Sequence, residues 1–227
     1  MAEPIRTILT DVYERLLTAY GPQHWWPGET PFEVIIGAIL TQNTAWTNVD
    51  RAIRNLKAAG VLSAAALRNL PQDELATLIK PSGYFNAKAR KLKELVRWLG
   101  ERCGDDLGAL FATETGGLRE ELLKVHGIGE ETADSILLYA GEKPIFVIDA
   151  YTRRIFERLG LQTRHGNRYG DYQALFMENL PPETRLFNEY HALIVRLGKD
   201  ICRPAPRCGD CPLNLECGGA GYPCRRD

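Results

Sequence analysis

The sequence predicts an all-α protein, and three observations carry that prediction. Apolar residues recur at helical spacing through almost every segment of the 227-residue chain. Glycine and proline cut that pattern into helix-sized lengths. No paired runs of alternating polarity and no strand–helix–strand alternation are found.

The elements follow in order. Residues 4–20 carry Ile5, Ile8, Leu9, Val12, Leu16 and Leu17 on one helical face. Pro22 and Pro27 interrupt that helix around the pair Trp25–Trp26. A buried helix is expected from Pro31, because Phe32, Val34, Ile35, Ile36, Ala38, Ile39 and Leu40 leave it no polar face. The next begins near Thr44 and stops at Gly60, and short helices fit 62–69 and 72–79. Residues 86–99 form a basic amphipathic helix. Two helices then flank a Gly-Ile-Gly turn at Gly127, Ile128 and Gly129. Ile145–Ile148 has the composition of a strand but is too short for a sheet of its own, so it is expected as extended chain. Asp149 opens a further helix, and two more fit 170–179 and 183–199.

Composition limits the function classes. Lysine and arginine total 28 against 29 acids, a net charge of −1, which does not advertise a nucleic-acid binder but leaves room for one with a local basic face. A nucleic-acid ligand would need backbone amides and a few placed cations. No apolar run approaches the roughly 20 residues that span a bilayer, and the start does not read as a secretory signal. A cytoplasmic location is expected.

Three features carry chemistry. The two glycines allow a tight turn and leave backbone N–H groups bare beside a helix start, which suits an anion such as a phosphate. An ordinary helical hairpin would use the same glycines. Asp149 reads first as an N-cap, accepting from the amides of the next turn. A cap also holds a carboxylate still, as catalysis requires. Cys202, Cys208, Cys211 and Cys217 fall within sixteen residues, spaced C-x5-C-x2-C-x5-C. In a chain without an export signal such density favours a metal site over disulfides, and spacing alone fits an iron–sulfur cluster or zinc. Cys103 and Cys224 are left over.

The pattern LLKVHGIGEETADSI followed by VIDAYTRR resembles the helix-hairpin-helix DNA glycosylases of base-excision repair. That resemblance spans roughly residues 5 to 217 and implies a two-lobed fold. A six-helix barrel with the hairpin occupies 28–143. A cluster-bearing helical lobe combines 1–27 with 144–227, its cysteine loop at about 202–217. Double-stranded DNA with a damaged base would lie across the cleft, bound by a monomer. Asp149 matches the family's catalytic aspartate. It would stabilise the positive charge that builds on deoxyribose as the glycosidic bond breaks, and orient or deprotonate a water.

The endonuclease III branch also has a lysine just after the hairpin, which forms a Schiff base with the sugar. Here that position is Glu131, and neither Lys124 nor Lys143 replaces it in register. A monofunctional glycosylase without lyase activity is implied. The branch holds a [4Fe–4S] cluster on C-x6-C-x2-C-x5-C; this chain has one residue fewer in the first gap. The same cofactor is implied on Cys202, Cys208, Cys211 and Cys217, with Arg203 and Arg207 on the loop presented to phosphates.

The stretches HWWPGETPFE and LTQNTAWTNV are similar to one subgroup, the bacterial 3-methyladenine DNA glycosylases related to endonuclease III. Members of that subgroup can lack the cysteines. Its aromatic pocket matches Trp25 or Trp26 and Trp46, each of which is otherwise ordinary core. Gln42 and Asn43 would fill the gap in the duplex or bond the opposite base. Aromatic walls suit a cationic alkylated purine. Such a base is already a good leaving group, so one aspartate suffices; Glu33 and Glu131 are the other acids to watch, Glu33 reading otherwise as a surface residue at a helix start. Two alternatives stand beside this reading: a glycosylase for oxidised pyrimidines or mismatched bases, and a module that binds lesions without cutting.

Overall fold

The computed structural model describes residues 2–26, 28–161, 166, 168–214 and 217. Among them every regular element is helical. They divide into two compact units: Trp26–Lys143, and Met1–Trp25 together with Pro144–Asp227. Pro27 and Cys224, both singled out in the sequence, lie outside the described residues. None of the described helices is long and apolar enough to cross a membrane.

The unit Trp26–Lys143 is built on α2 (Pro31–Leu40). Pro31 stands where its missing N–H costs nothing, and the Thr30 hydroxyl accepts the Glu33 amide at 3.1 Å. From Glu33 to Leu40 every residue of α2 is buried. Glu33, expected at the surface, is only 5% exposed and pairs with Lys57 at 2.9 Å. Around α2 come α3 (Trp46–Ala58), α4 (Ala64–Asn69), α5 (Gln72–Leu78), a 3-10 turn at Lys80–Ser82 and α6 (Phe85–Cys103). The third helix starts two residues later than Thr44, where the chain leaves the turn at Asn43. Next is α7 (Leu107–Phe111), which sequence periodicity passed over although Asp106 caps it by accepting the Ala109 amide at 3.0 Å. Then α8 (Thr115–Lys124) and α9 (Glu130–Ser135) flank the Gly-Ile-Gly turn, and α9 loosens into a π-turn at Ile136–Ala140.

The basic helix α6 does not face solvent with all its lysines. Lys88, 2% exposed, donates to Leu40 O at 2.8 Å and Ser82 O at 2.7 Å. It thereby satisfies one carbonyl at the C-terminal end of α2, where a cation also meets the negative pole of the helix, and ties it to the end of the 3-10 turn. Burial, with help from the Lys91 charge, pushes Lys88 down to about 8. Lys93 does the same for α4, donating to Leu67 O, Arg68 O and Leu70 O.

In the other unit α1 (Ala2–Tyr20), α10 (Ala150–Arg158), α11 (Tyr169–Met177) and α12 (Thr184–Asp200) enclose an aromatic core. Residues 145–148 are extended and buried, yet they pair with no strand. Side chains replace the missing ladder: Gln173 donates to Phe146 O at 2.7 Å, and the Ile148 amide donates to the Tyr169 hydroxyl at 3.2 Å. The Phe146 ring stacks on Phe176 at 3.9 Å and meets Phe187 and Tyr190 edge-on. The Tyr190 hydroxyl donates to Leu9 O at 2.8 Å, which ties α12 to α1.

The buried lysine gives a stability test. Lys88→Ala would leave two carbonyls short of a charged donor, and it is expected to cost about 2–3 kcal/mol in chemical denaturation. A loss below about 0.5 kcal/mol would mean that water replaces the ammonium there.

Candidate functional site

The hairpin is built by sequence-local rules. Helix α8 ends at Val125, which turns extended. Gly127 has φ of +87°, and a Cβ there would collide with the stem of Lys91, standing 2.7 and 2.9 Å from its Cδ and Cε. Only glycine serves at that position. The Ile128 amide closes the turn on Val125 O at 3.1 Å. Gly129 is extended, and a Cβ built on it meets nothing within 4 Å. The turn itself therefore requires Gly127, whereas Gly129 leaves open space at the start of α9. Behind the turn Leu118, Leu122, Val125, Ile128, Ala133 and Ile136 are buried. Arg119 clamps α8 to α9 through a two-pronged pair with buried Asp134, at 2.7 and 3.1 Å.

Gln42 belongs to this hairpin. Its amide nitrogen donates to Gly127 O at 3.2 Å and to Thr132 Oγ1 at 2.9 Å, and its oxygen accepts from Lys91. The next residue, Asn43, is exposed and left-handed, with φ of +53°. Tyr84 is left-handed too (φ +45°), and at 73% exposure it is the most exposed large apolar side chain among those described. Non-glycine residues in that region are strained, and such strain gathers at functional sites.

Three aromatic rings meet in the same unit. Trp26 crosses Trp46 edge-on at 5.1 Å and lies against Tyr139 at 4.9 Å. All three are half-buried. Gly37 on α2 admits the two indoles: a Cβ there would stand 3.4 Å from Trp26 Nε1 and 3.6 Å from Trp46 Cη2. The π-turn carries Tyr139, and such turns recur at functional sites. Trp25, also half-buried, falls in the other unit.

Asp149 is 8% exposed and caps α10. Its Oδ1 accepts from the Thr152 amide at 2.7 Å and the Thr152 hydroxyl at 2.8 Å. Its Oδ2 lies 3.7 Å from Nε2 of His191 on α12. Burial pushes the His191 imidazole below its ordinary value, and the charge of Asp149 offsets that in part.

Helix α10 also holds the cysteine loop. Arg154 donates to Cys202 O at 2.8 Å and Gly198 O at 2.9 Å. One turn on, Arg158 donates to the Cys202 sulfur at 3.2 Å, to Arg203 O at 2.7 Å and to Pro204 O at 3.1 Å. Cys208 opens a 3-10 turn, Cys208–Asp210, that Cys211 closes. Burial pushes Tyr20 up to about 12, with neighbouring negative charge adding to it and Arg196 opposing. Among the described residues no three of His, Cys, Asp and Glu gather as a metal-holding group. The donor set, four thiols on one short loop, fits iron or zinc by its chemistry. Arg203 and Arg207 are exposed; Arg203 donates to Lys199 O at 2.8 Å, and Arg207 lies 4.0 Å from Asp210.

A helical two-unit chain with a glycine hairpin and a capping aspartate defines a class. Residues 36–182 match the model of the HhH-GPD superfamily of base excision DNA repair proteins, and the chain belongs to that superfamily. It is a DNA N-glycosylase. It is 45% identical to a Methanocaldococcus jannaschii protein provisionally named a DNA repair glycosylase, over 91% of this chain and 94% of that one. Endonuclease III of Thermotoga maritima is 31% identical, over 82% of each. The solved 3-methyladenine DNA glycosylase of H. pylori bound to 1,N6-ethenoadenine superposes with a TM-score of 0.73 at 27% identity, covering 87% of this chain and 97% of that one.

Sequence reading passed over Lys91, Tyr139, Tyr84 and His191. Tyr139 and His191 sat in apolar helical stretches and read as core, and Lys91 was one basic residue among several. Pro81, Ser82 and Gly83 before Tyr84 were local signals of a turn.

Two outcomes follow from this geometry. Below pH 6.5, the ordinary value for His191, the unfolded chain takes up a proton that the buried imidazole still refuses. Stability is therefore expected to fall with pH from there until His191 itself is protonated. His191→Gln should flatten that part of the profile in denaturation measured from pH 7.5 to 5, and an unchanged slope would contradict the assignment. Gly127→Ala should lower thermal stability, whereas Gly129→Ala should leave it within about 1 kcal/mol and weaken binding to any duplex.

Proposed function

We propose that this glycosylase removes alkylated purines such as 3-methyladenine by hydrolysis, and leaves the strand intact. The observation that carries the substrate reading is the half-exposed set of Trp26, Trp46 and Tyr139. A methylated purine is cationic in the nucleotide, and indole faces favour it by about 1–2 kcal/mol once water is gone. The likeness to the H. pylori enzyme named for 3-methyladenine supports the same reading.

Asp149 supplies the chemistry. As the glycosidic bond breaks, its electron pair leaves with the base, which departs neutral. Positive charge then develops on the sugar and is stabilised by the Asp149 carboxylate. Oδ1 is held by Thr152, so Oδ2 is the oxygen for water. That water adds to C1′ and gives its proton to the carboxylate and then to solvent. No amine competes. The lysine position after the hairpin is Glu131, Lys143 donates to Thr113 O at 2.8 Å, and the low-lying amine of Lys88 is buried in carbonyls.

DNA binding falls to the hairpin through Gly127, Ile128 and Gly129, and to Arg203 and Arg207. Asn43 and Tyr84, exposed and left-handed, are suited to occupy the space of the flipped nucleotide. Cys202, Cys208, Cys211 and Cys217 would hold a [4Fe–4S] cluster. When bound, it supplies a folded loop and an electron-transfer group.

Asp149→Asn is expected to retain duplex binding and lose about 2–4 kcal/mol of catalysis in single-turnover release of 3-methyladenine. Borohydride should trap no protein on DNA, and the product should nick only after alkali. Efficient trapping would overturn the monofunctional reading. Release of thymine glycol but not 3-methyladenine would favour a glycosylase for oxidised pyrimidines. Purified protein should be yellow-brown with about four irons per chain. Colourless protein with stoichiometric zinc would overturn the cluster.

A further inference from the structure

Lys91 on α6 reaches the hairpin turn. The Lys91 stem lies against Gly127 so closely that a single Cβ would collide with it. Its ammonium donates to Gln42, and Gln42 donates onward to Gly127 O and Thr132. The ammonium is thus held beside the turn by a neutral amide. Lys88 and Lys93, on the same helix, differ: both are drawn into backbone carbonyls. The first turn of α9 carries two acids, Glu130 and Glu131, and the hairpin's own Arg119, 3.8 Å from Glu130, is committed to the buried Asp134. Two acids at that point oppose a phosphate, and the chain as a whole carries a net charge of −1.

We propose that Lys91 is a phosphate-binding residue of the hairpin, supplied from α6 and aimed by Gln42. The Gly-Ile-Gly turn contributes shape and amides, and Lys91 contributes a positive charge beside the turn, where Arg119 is held by Asp134 and Glu130. Glycine at 127 then has a second reason besides its positive φ: it makes room for the lysine stem to reach the turn. Gln42 is a positioning residue in this arrangement, fixing both the ammonium and the hairpin. The inference rests on the reading of the hairpin as the element that grips the DNA backbone.

Counterion release separates a phosphate contact from a structural lysine. Each neutralised phosphate contributes about 0.9 to the slope of log K against log salt concentration on duplex DNA. Binding of the full-length protein to an undamaged 20–30-mer duplex, read by fluorescence anisotropy over a range of salt, is the measurement. Lys91→Gln is expected to weaken binding several-fold at low salt and to reduce the slope by about one phosphate. Lys91→Arg should keep the slope. Gln42→Ala should weaken binding while most of the slope remains, since the charge is still present. A Lys91→Gln protein that binds more weakly at an unchanged slope would make the lysine structural and overturn the proposal. Unfolding of Lys91→Gln is checked by circular dichroism; if it unfolds, Lys91→Met with Lys91→Arg as its partner gives the same slope comparison. Failure of the underlying reading looks different: Gly129→Ala and wild type would then bind undamaged duplex equally well at every salt.

Discussion

Much of this protein hangs on one hydrogen-bonded carboxylate. Asp149 opens α10 by accepting the amide and hydroxyl of Thr152, and this fixes where the helix begins. Once the start is fixed, the register of α10 is fixed. Arg154 and Arg158, one turn apart on one face, then reach Gly198, Cys202, Arg203 and Pro204. The cap thus sets the carboxylate, and through the helix it sets the start of the cysteine loop. Capping leaves Oδ2 for other work, with His191 3.7 Å away on a buried face of α12. A residue that a local rule explains fully is still available for chemistry, because the cap uses only one of its two oxygens.

The other unit shows how lysines on one helix serve different ends. Lys88 and Lys93 finish α2 and α4 by meeting carbonyls that the helices leave without intrahelical partners. Lys91, between them in sequence, turns to the hairpin through Gln42. The basic character of α6 is therefore not a patch spread evenly over a surface. Net charge near zero is compatible with a DNA enzyme when individual cations are placed in this way.

The helical fold was legible because buried helices such as α2 announce themselves by apolar periodicity, and the hairpin because its glycines fall between two such runs. The cap at Asp149 was legible for the same local reason. What was not legible depends on contacts distant in sequence. Glu33 reads as a surface acid at a helix start, yet Lys57 draws it into a buried pair. Residues 145–148 read as extended chain, as found, but their distant partners Gln173 and Tyr169 left no local signal. Gln42 lies 85 residues from Gly127, and no local pattern reports that bond. Tyr139 depends on the π-turn, whose widened register breaks the helical spacing by which a sequence is read.

The central claim is that position, set by the cap, makes the Asp149 carboxylate effective, and charge alone does not. Asp149→Glu tests it most directly, since glutamate keeps the charge and adds one methylene. Single-turnover release of 3-methyladenine from a duplex, at saturating enzyme and with the fold checked by circular dichroism, is the measurement. A folded variant slower by roughly two orders of magnitude or more is expected, because a misplacement near 1 Å carries a penalty of about that size. Release at the wild-type rate would contradict it, and would mean that any carboxylate in that neighbourhood serves.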